Sequence, residues 1–171
     1  EQHELFERID NEVERLKSLT SELLSYSSGT QEERRKPTDI NTTIHDVMAL
    51  MRYELSKNQI ESIEDLCPLP PISIDKNRFK QIFINLILNA IQAMDQRGKI
   101  KVITGFDEQD NIKIQFCDNG PGISDELKNR IFEPFFTSRQ DGKGTGLGLY
   151  LCRKIIADYH GQLNVHDVPT G

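Results

Sequence analysis

Two glycine-rich stretches, DNGPGI at 118–123 and GKGTGLGL at 142–149, bracket the aromatic cluster FEPFF at 132–136. Clustered glycines constrain a fold strongly, because they stand where backbone must turn sharply or come close to something else. Ahead of the first stretch, NIKIQFC (111–117) alternates Ile112, Ile114 and Phe116 against Lys113 and Gln115. That is the period-two pattern of a strand, and it puts Asp118 at a strand end. Asn119-Gly120-Pro121-Gly122 then turns the chain tightly. Taken alone, DNGPGI reads as an ordinary turn with a solvated aspartate as readily as a carboxylate placed to read the edge of a flat ring.

In the second stretch, Gly144, Gly146 and Gly148 alternate and run straight into LYLCRKIIADYH, where Leu147, Leu151, Ile155 and Tyr159 recur at helical spacing. A glycine-rich helix start offers free N–H groups and the positive end of the helix dipole, a combination that attracts phosphate. Two common phosphate motifs are excluded by spacing. A Walker loop needs Ser or Thr after its lysine, but Lys143 precedes Gly144. A dinucleotide fingerprint needs glycine where Leu147 or Leu149 stands, directly after a strand. Between the two stretches, Phe132, Phe135 and Phe136 can anchor a loop whose residues 137–143 include nothing apolar. That composition suits a hinged lid or a plain surface loop.

With NLILNAIQAM (85–94) on an earlier helix, these stretches resemble, in order and spacing, the four sequence boxes of the Bergerat-type ATPase fold that sensor histidine kinases share with gyrase and MutL. The resemblance implies an α/β protein, a two-layer α/β sandwich, preceded by a long amphipathic helix of a dimeric helical bundle. It implies ATP and Mg²⁺ as ligands, with Asp118 accepting from the adenine amino group and Gly120 and Gly122 allowing close approach. It makes Asn89 the Mg²⁺ ligand with Asn85 in support, and Gly144, Gly146 and Gly148 the phosphate cradle. Ile123, Phe136, Lys143, Thr145 and Leu147 complete the nucleotide-binding candidates, and Arg130 and Arg139 are weaker candidates for phosphate contact. Gln92 stands where many relatives carry lysine. The wording NAIQAM and EPFFTSR is similar to that of nitrogen-regulation and sporulation kinases.

Composition agrees with a compact domain. The 171 residues are 36% hydrophobic and 28% charged, enough for one sizeable core and a little over. A net charge of −6 argues against a nucleic-acid footprint, which clustered Lys and Arg would carry. No apolar run approaches membrane-span length, so this segment is expected to make no membrane contact. The resemblance implies the bacterial cytoplasm, in a parent protein that could carry a membrane anchor. Cys67, Cys117 and Cys152 lack metal-ligand spacing and read as buried free thiols.

Along the chain, Leu5, Ile9, Leu16, Leu19 and Leu23 form one apolar seam within 1–28, a helix that needs other helices to cover it. The resemblance makes it the second helix of a dimerisation hairpin, and therefore a homodimer contact. Residues 29–37 read as a linker and 38–171 as the ATP-binding domain. A helix is expected from an N-cap at Asn41, with Ile44, Val47, Leu50, Met51 and Leu55 on one face, and a weak strand over 59–66. Asp75 is expected to cap a helix over 76–97 that is apolar almost all round. Gln81, Asn85, Asn89 and Gln92 fall on one stripe of it, either a structural amide ladder or a face turned to a ligand and its hydrated metal. Residues 99–106 and 111–117 read as a hairpin and 163–168 as a further strand of an antiparallel sheet. The family pattern ends in one more strand, of the form GGTxFxVxLP, which lies beyond Gly171.

None of the four histidines, His3, His45, His160 and His166, stands in a motif like the family's H-E-x-x-N/R-P acceptor. The resemblance therefore implies γ-phosphoryl transfer from MgATP to a histidine outside this sequence, then to a response-regulator receiver domain. A protein inhibitor acting at the hairpin is a further partner that it allows. An anti-sigma-type serine kinase, another ATPase of the fold and a non-catalytic ATP-binding module are the alternatives. Phosphohistidine is acid-labile and phosphoserine is not, which separates them.

Overall fold

A computed structural model describes residues 34–94, 97–137 and 145–167. The expected helix over 1–28 and most of the linker lie outside these residues, as do Arg139, Lys143 and Gly144.

Strand β1 (Lys36–Thr38) leads into helix α1 (Ile40–Lys57), followed by β2 (Ile60–Leu66), β3 (Ile72–Ile74) and helix α2 (Lys76–Ala93). The hairpin β4 (Gly98–Phe106) and β5 (Ile112–Asp118) comes next, then a single helical turn α3 (Asp125–Lys128), a 3₁₀ turn (Arg130–Phe132) and helix α4 (Gly148–Ala157). The main sheet runs β2-β4-β5, and β1 and β3 form a separate antiparallel pair. The expected hairpin is present, its strands paired from Ile100 opposite Asp118 to Phe106 opposite Ile112. The expectation of a purely antiparallel sheet is corrected, because β2 lies parallel to β4. The intervening β3 and α2 supply the long crossover that parallel neighbours require.

Helices pack on the sheet to give the two-layer architecture. Ile44, Val47 and Met51 of α1 and Phe79, Ile82 and Ile87 of α2 are buried against Ile100 and Val102 of β4. Cys152 and Ile155 of α4 join the same core. Met48 and Met51 are core filling. Leu50, expected on that face, is 67% exposed. At 3.6 residues per turn it stands roughly 120° round the helix from Ile44, outside the apolar stripe.

Four other expectations change. The cap of α1 is Asp39, whose Oδ1 accepts from the Thr42 N–H at 3.0 Å. Asn41 instead donates to the Cys67 carbonyl at 2.7 Å and accepts from the Thr104 hydroxyl at 3.0 Å, tying α1 to the sheet. Helix α2 stops at Ala93, with Met94 as its C-cap. Residues 163–167 form no strand, since no backbone ladder joins them to a neighbour among the described residues. Their alternation still sets facing: Leu163 and Val165 are half-buried while Asn164 and His166 are exposed. Of the cysteines, all free, only Cys152 is buried; Cys117 is half-buried, and Cys67 is exposed in the extended segment after β2.

Candidate nucleotide site

Asp118 is the last residue of β5, and a short network holds the turn after it. Its Oδ1 accepts from the Gly120 N–H at 2.9 Å, which leaves Oδ2 without a partner among the described residues. Asn119 fixes the turn to the start of β4, where its Oδ1 accepts from the Lys99 N–H at 2.7 Å and its own N–H donates to the Lys99 carbonyl at 3.3 Å. A Cβ on Gly120 would lie 2.8 Å from Asp118 Oδ1, so a side chain there would displace the carboxylate. Gly122 has φ +75°, a conformation glycine adopts freely.

This turn forms one side of a cavity of about 510 Å³. Asp118, Gly120, Gly122 and Ile123 line it together with Asn89 on the facing part of α2. Ile87 and Ala90 of α2, Ile100 of β4 and Phe116 of β5 give it an apolar floor. A largely apolar cavity lined also by a carboxylate and an amide suits an aromatic ring carrying hydrogen-bonding groups. The amide stripe on α2 is also resolved. Gln81 and Asn85 are half-buried, whereas Asn89 and Gln92 are exposed, so the stripe is not a buried ladder.

The other described candidates lie beyond the cavity wall, around the start of α4. Asn85 donates weakly to the Cys152 sulfur at 3.8 Å, and Gly148 sits close enough that a Cβ there would touch the Asn85 amide at 3.7 Å. Gly146 has φ +68°, and a Cβ on it would fall 2.4 Å from the Phe135 carbonyl carbon and 2.7 Å from the Phe136 nitrogen. This glycine therefore lets the chain entering α4 rest directly on the backbone of the aromatic cluster. The Thr145 hydroxyl accepts from the Leu147 N–H at 3.3 Å, and Leu147, the buried N-cap residue of α4, has no side-chain acceptor with which to cap the helix. Unpaired N–H groups at such an end attract anions. Arg130 stacks over the Phe136 ring at 4.5 Å, and Arg153 over Phe132 at 4.9 Å.

Several lining residues stand outside the motifs read from the sequence. Leu163 to Asp167 form one wall of the cavity, and Asp167 is held by Lys128, whose Nζ lies 2.6 Å from Asp167 Oδ2 and 2.6 Å from Asp125 Oδ1. The hydrogen bond to Asp125, then that to Asp167, raises the Lys128 pKa, and the same lysine lowers that of Asp125. Cys117 and Leu149 also line the cavity. The only hint of this wall was the alternation of Leu163 and Val165 after α4.

Residues 74–171 match the family model for histidine kinase-, DNA gyrase B- and HSP90-like ATPases. The chain belongs to this family. It is similar to the sensor histidine kinase ZraS of Escherichia coli K12, with 34% identity over 96% of this chain and 35% of that protein. Sporulation kinase A of Bacillus subtilis is 34% identical over 96% of this chain and 27% of its own length. Among solved structures, the catalytic domain of the histidine kinase ThkA matches with a TM-score of 0.63 and 38% identity over 71% of this chain and 78% of that one. ThkA in complex with the response regulator TrrA matches with a TM-score of 0.74 and 33% identity over 94% of this chain and 46% of that one. The chain thus spans about a third or less of the curated relatives' length.

Proposed function

We propose that this chain is the ATP-binding part of a sensor histidine kinase, and that Asp118 reads the adenine amino group. In the reaction, the bond from the γ-phosphorus to the β–γ bridging oxygen breaks, a phosphorus–nitrogen bond forms on a histidine, and ADP leaves. The histidine belongs to a dimerisation hairpin that includes residues 1–28, and the phosphoryl group passes on to a response-regulator aspartate. Such chemistry asks the protein mainly to position the reactants and to neutralise charge. Gly144, with Gly146 and Gly148 at the start of α4, would cradle the phosphates, and Lys143 and Arg139 would contact them. Arg130, stacked on Phe136, is a weaker candidate for the same contact. The protein would act in the bacterial cytoplasm, with one more strand completing the sheet.

The donor chemistry at Asn89 fits Mg²⁺. Its exposed amide oxygen is a hard ligand on the cavity wall, and among the described residues no group of three His, Cys, Asp or Glu gathers into an all-protein metal site. One amide then suffices, since Mg²⁺ usually keeps water and phosphate oxygens as its other ligands. When bound, the ion would neutralise charge on the phosphates.

The observation that carries this reading is Asp118 on the wall of a largely apolar cavity, beside two glycines that carry no side chain. Asp118→Asn replaces the carboxylate acceptor with an amide and should leave the fold intact. Loss of a hydrogen bond to a charged group costs about 1.5–3 kcal/mol, so ATP affinity should fall tenfold or more. Wild-type affinity of the variant by calorimetry would overturn the assignment. Asn89→Ala should weaken ATP binding in Mg²⁺ much more than in EDTA. Equal losses in both conditions would return Asn89 to a structural role.

A further inference from the structure

Arg35, one residue before β1, reaches across to the far end of α4. Its Nη2 donates to the Asp158 carbonyl at 2.9 Å, and its guanidinium lies over the Tyr159 ring, 4.6 Å from the centroid. Both targets are fixed from the other side. The Tyr159 hydroxyl accepts from the Asp75 N–H at 3.0 Å, and its ring meets Phe79 edge-on with centroids 5.1 Å apart. The Asp158 carboxylate accepts from Arg78 Nη1 at 2.9 Å. The run into β1 and the end of α4 therefore meet at one guanidinium, and Asp158 and Tyr159 in turn tie that contact to the start of α2. A carbonyl and a ring face taken together call for its planar, stacking geometry.

The clasp is incomplete, since Arg35 Nε is buried with no partner among the described residues. The strand it anchors is short as well, three residues paired, among the described residues, with β3 alone. At its other end, about 15 Å away along the ten residues of α4, the helix begins at Gly148 in the glycine-rich stretch. One rigid rod thus has the nucleotide-facing segment at its start and the entry of the N-terminal chain at its end.

We infer that Arg35 is a positioning residue that couples nucleotide occupancy at the start of α4 to the pairing of β1 with β3. The inference rests on the nucleotide reading above. Nucleotide favours the placement of α4 in which Asp158 and Tyr159 meet Arg35, and release of Arg35 lets β1 separate from β3 independently of the site. Coupling of this kind is reciprocal: the factor by which nucleotide stabilises the clasp is the factor by which the clasp tightens nucleotide binding.

Hydrogen exchange over residues 34–40 of the whole 171-residue chain, with and without saturating Mg²⁺ and AMP-PNP, tests this. Arg35→Ala should exchange at least fivefold faster than wild type without nucleotide. AMP-PNP should slow exchange in the wild type and in Tyr159→Phe, which keeps the ring, but not in Arg35→Ala. Arg35→Lys keeps the charge without the planar stack and should behave like Arg35→Ala, whereas a merely electrostatic contact would be rescued by it. AMP-PNP affinity of Arg35→Ala, by calorimetry, should fall by the factor of slowing seen in the wild type. Equal nucleotide effects in wild type and Arg35→Ala, or unchanged exchange in Arg35→Ala, would overturn the coupling while leaving the nucleotide site in place. Failure of the wild type to bind AMP-PNP at all would overturn the nucleotide reading itself.

Discussion

Gly146 shows how much of this domain's function rests on the absence of an atom. Its φ of +68° and the 2.4 Å approach a Cβ would make to the Phe135 carbonyl carbon leave two obstacles to any side chain. The first alone costs about 1–3 kcal/mol, and the second forces the start of α4 off the aromatic cluster, since backbone cannot swing aside as a flexible side chain can. Phe135, across this contact, itself sits at φ +65° and is 70% exposed. Gly146→Ala is therefore expected to lower stability by more than about 1 kcal/mol and to weaken nucleotide binding beyond that loss. Urea denaturation alongside nucleotide titration checks both; an alanine variant with wild-type stability would show that the segment relaxes freely. Residue by residue, Asp118, Gly120, Gly122, Ile123 and Asn89 were legible in the sequence and share one cavity. Asp167 and Lys128 were not, because an ion pair between residues 39 apart leaves no local pattern.

At the scale of elements, caps and periodicity decide what a sequence reveals. Asp75 was legible as a cap because it stands directly before a long apolar run, and its Oδ1 accepts from Asn77 and Arg78 N–H groups. Asp39 was missed in favour of Asn41, two capping residue types so close that only the backbone shows which lies outside the helix. The hydrogen bond from the Thr42 N–H holds the Asp39 carboxyl below its ordinary value of 3.8. A depressed carboxyl pKa contributes stability above the unfolded value and loses it as pH falls through the folded one. Asp39→Asn keeps a capping side chain but cannot titrate. Thermal melts from about pH 6 down to pH 3 should thus show a shallower loss of stability in the variant. Only part of the slope should vanish, because Asp46, paired with Lys76 and Lys80, and Asp107, paired with Asn111, are lowered as well. Identical slopes would remove Asp39 from the account. The parallel pairing of β2 and β4 was hidden for a different reason: alternation reports which face a strand buries and says nothing about the direction of its neighbour.

The molecule as a whole poses the question of what these residues can do unaided. The sequence has an ATP site in prospect and no histidine in the family's acceptor motif. Of the described histidines, His45 is exposed on α1 with its Nδ1 3.1 Å from Glu64, His160 follows α4 at φ +58°, and His166 lies on the cavity wall. Of these three, His166 lines the cavity, and proximity is one property an acceptor must have. Proximity alone does not suffice, however. In-line transfer needs the nucleophile opposite the leaving oxygen, and His166 shares its wall with Asp167 beside the turn assigned to the base, whereas the phosphates are assigned to the start of α4. Residues 1–171 are accordingly expected to bind MgATP without labelling themselves, and to transfer phosphate once a hairpin carrying the acceptor histidine is supplied on the same chain or in trans. Incubation with γ-labelled ATP decides the matter. Acid-labile label on this chain alone, mapped to His166 or another of its histidines, would mean that the acceptor lies inside the ATP-binding domain and that docking onto a hairpin is not required.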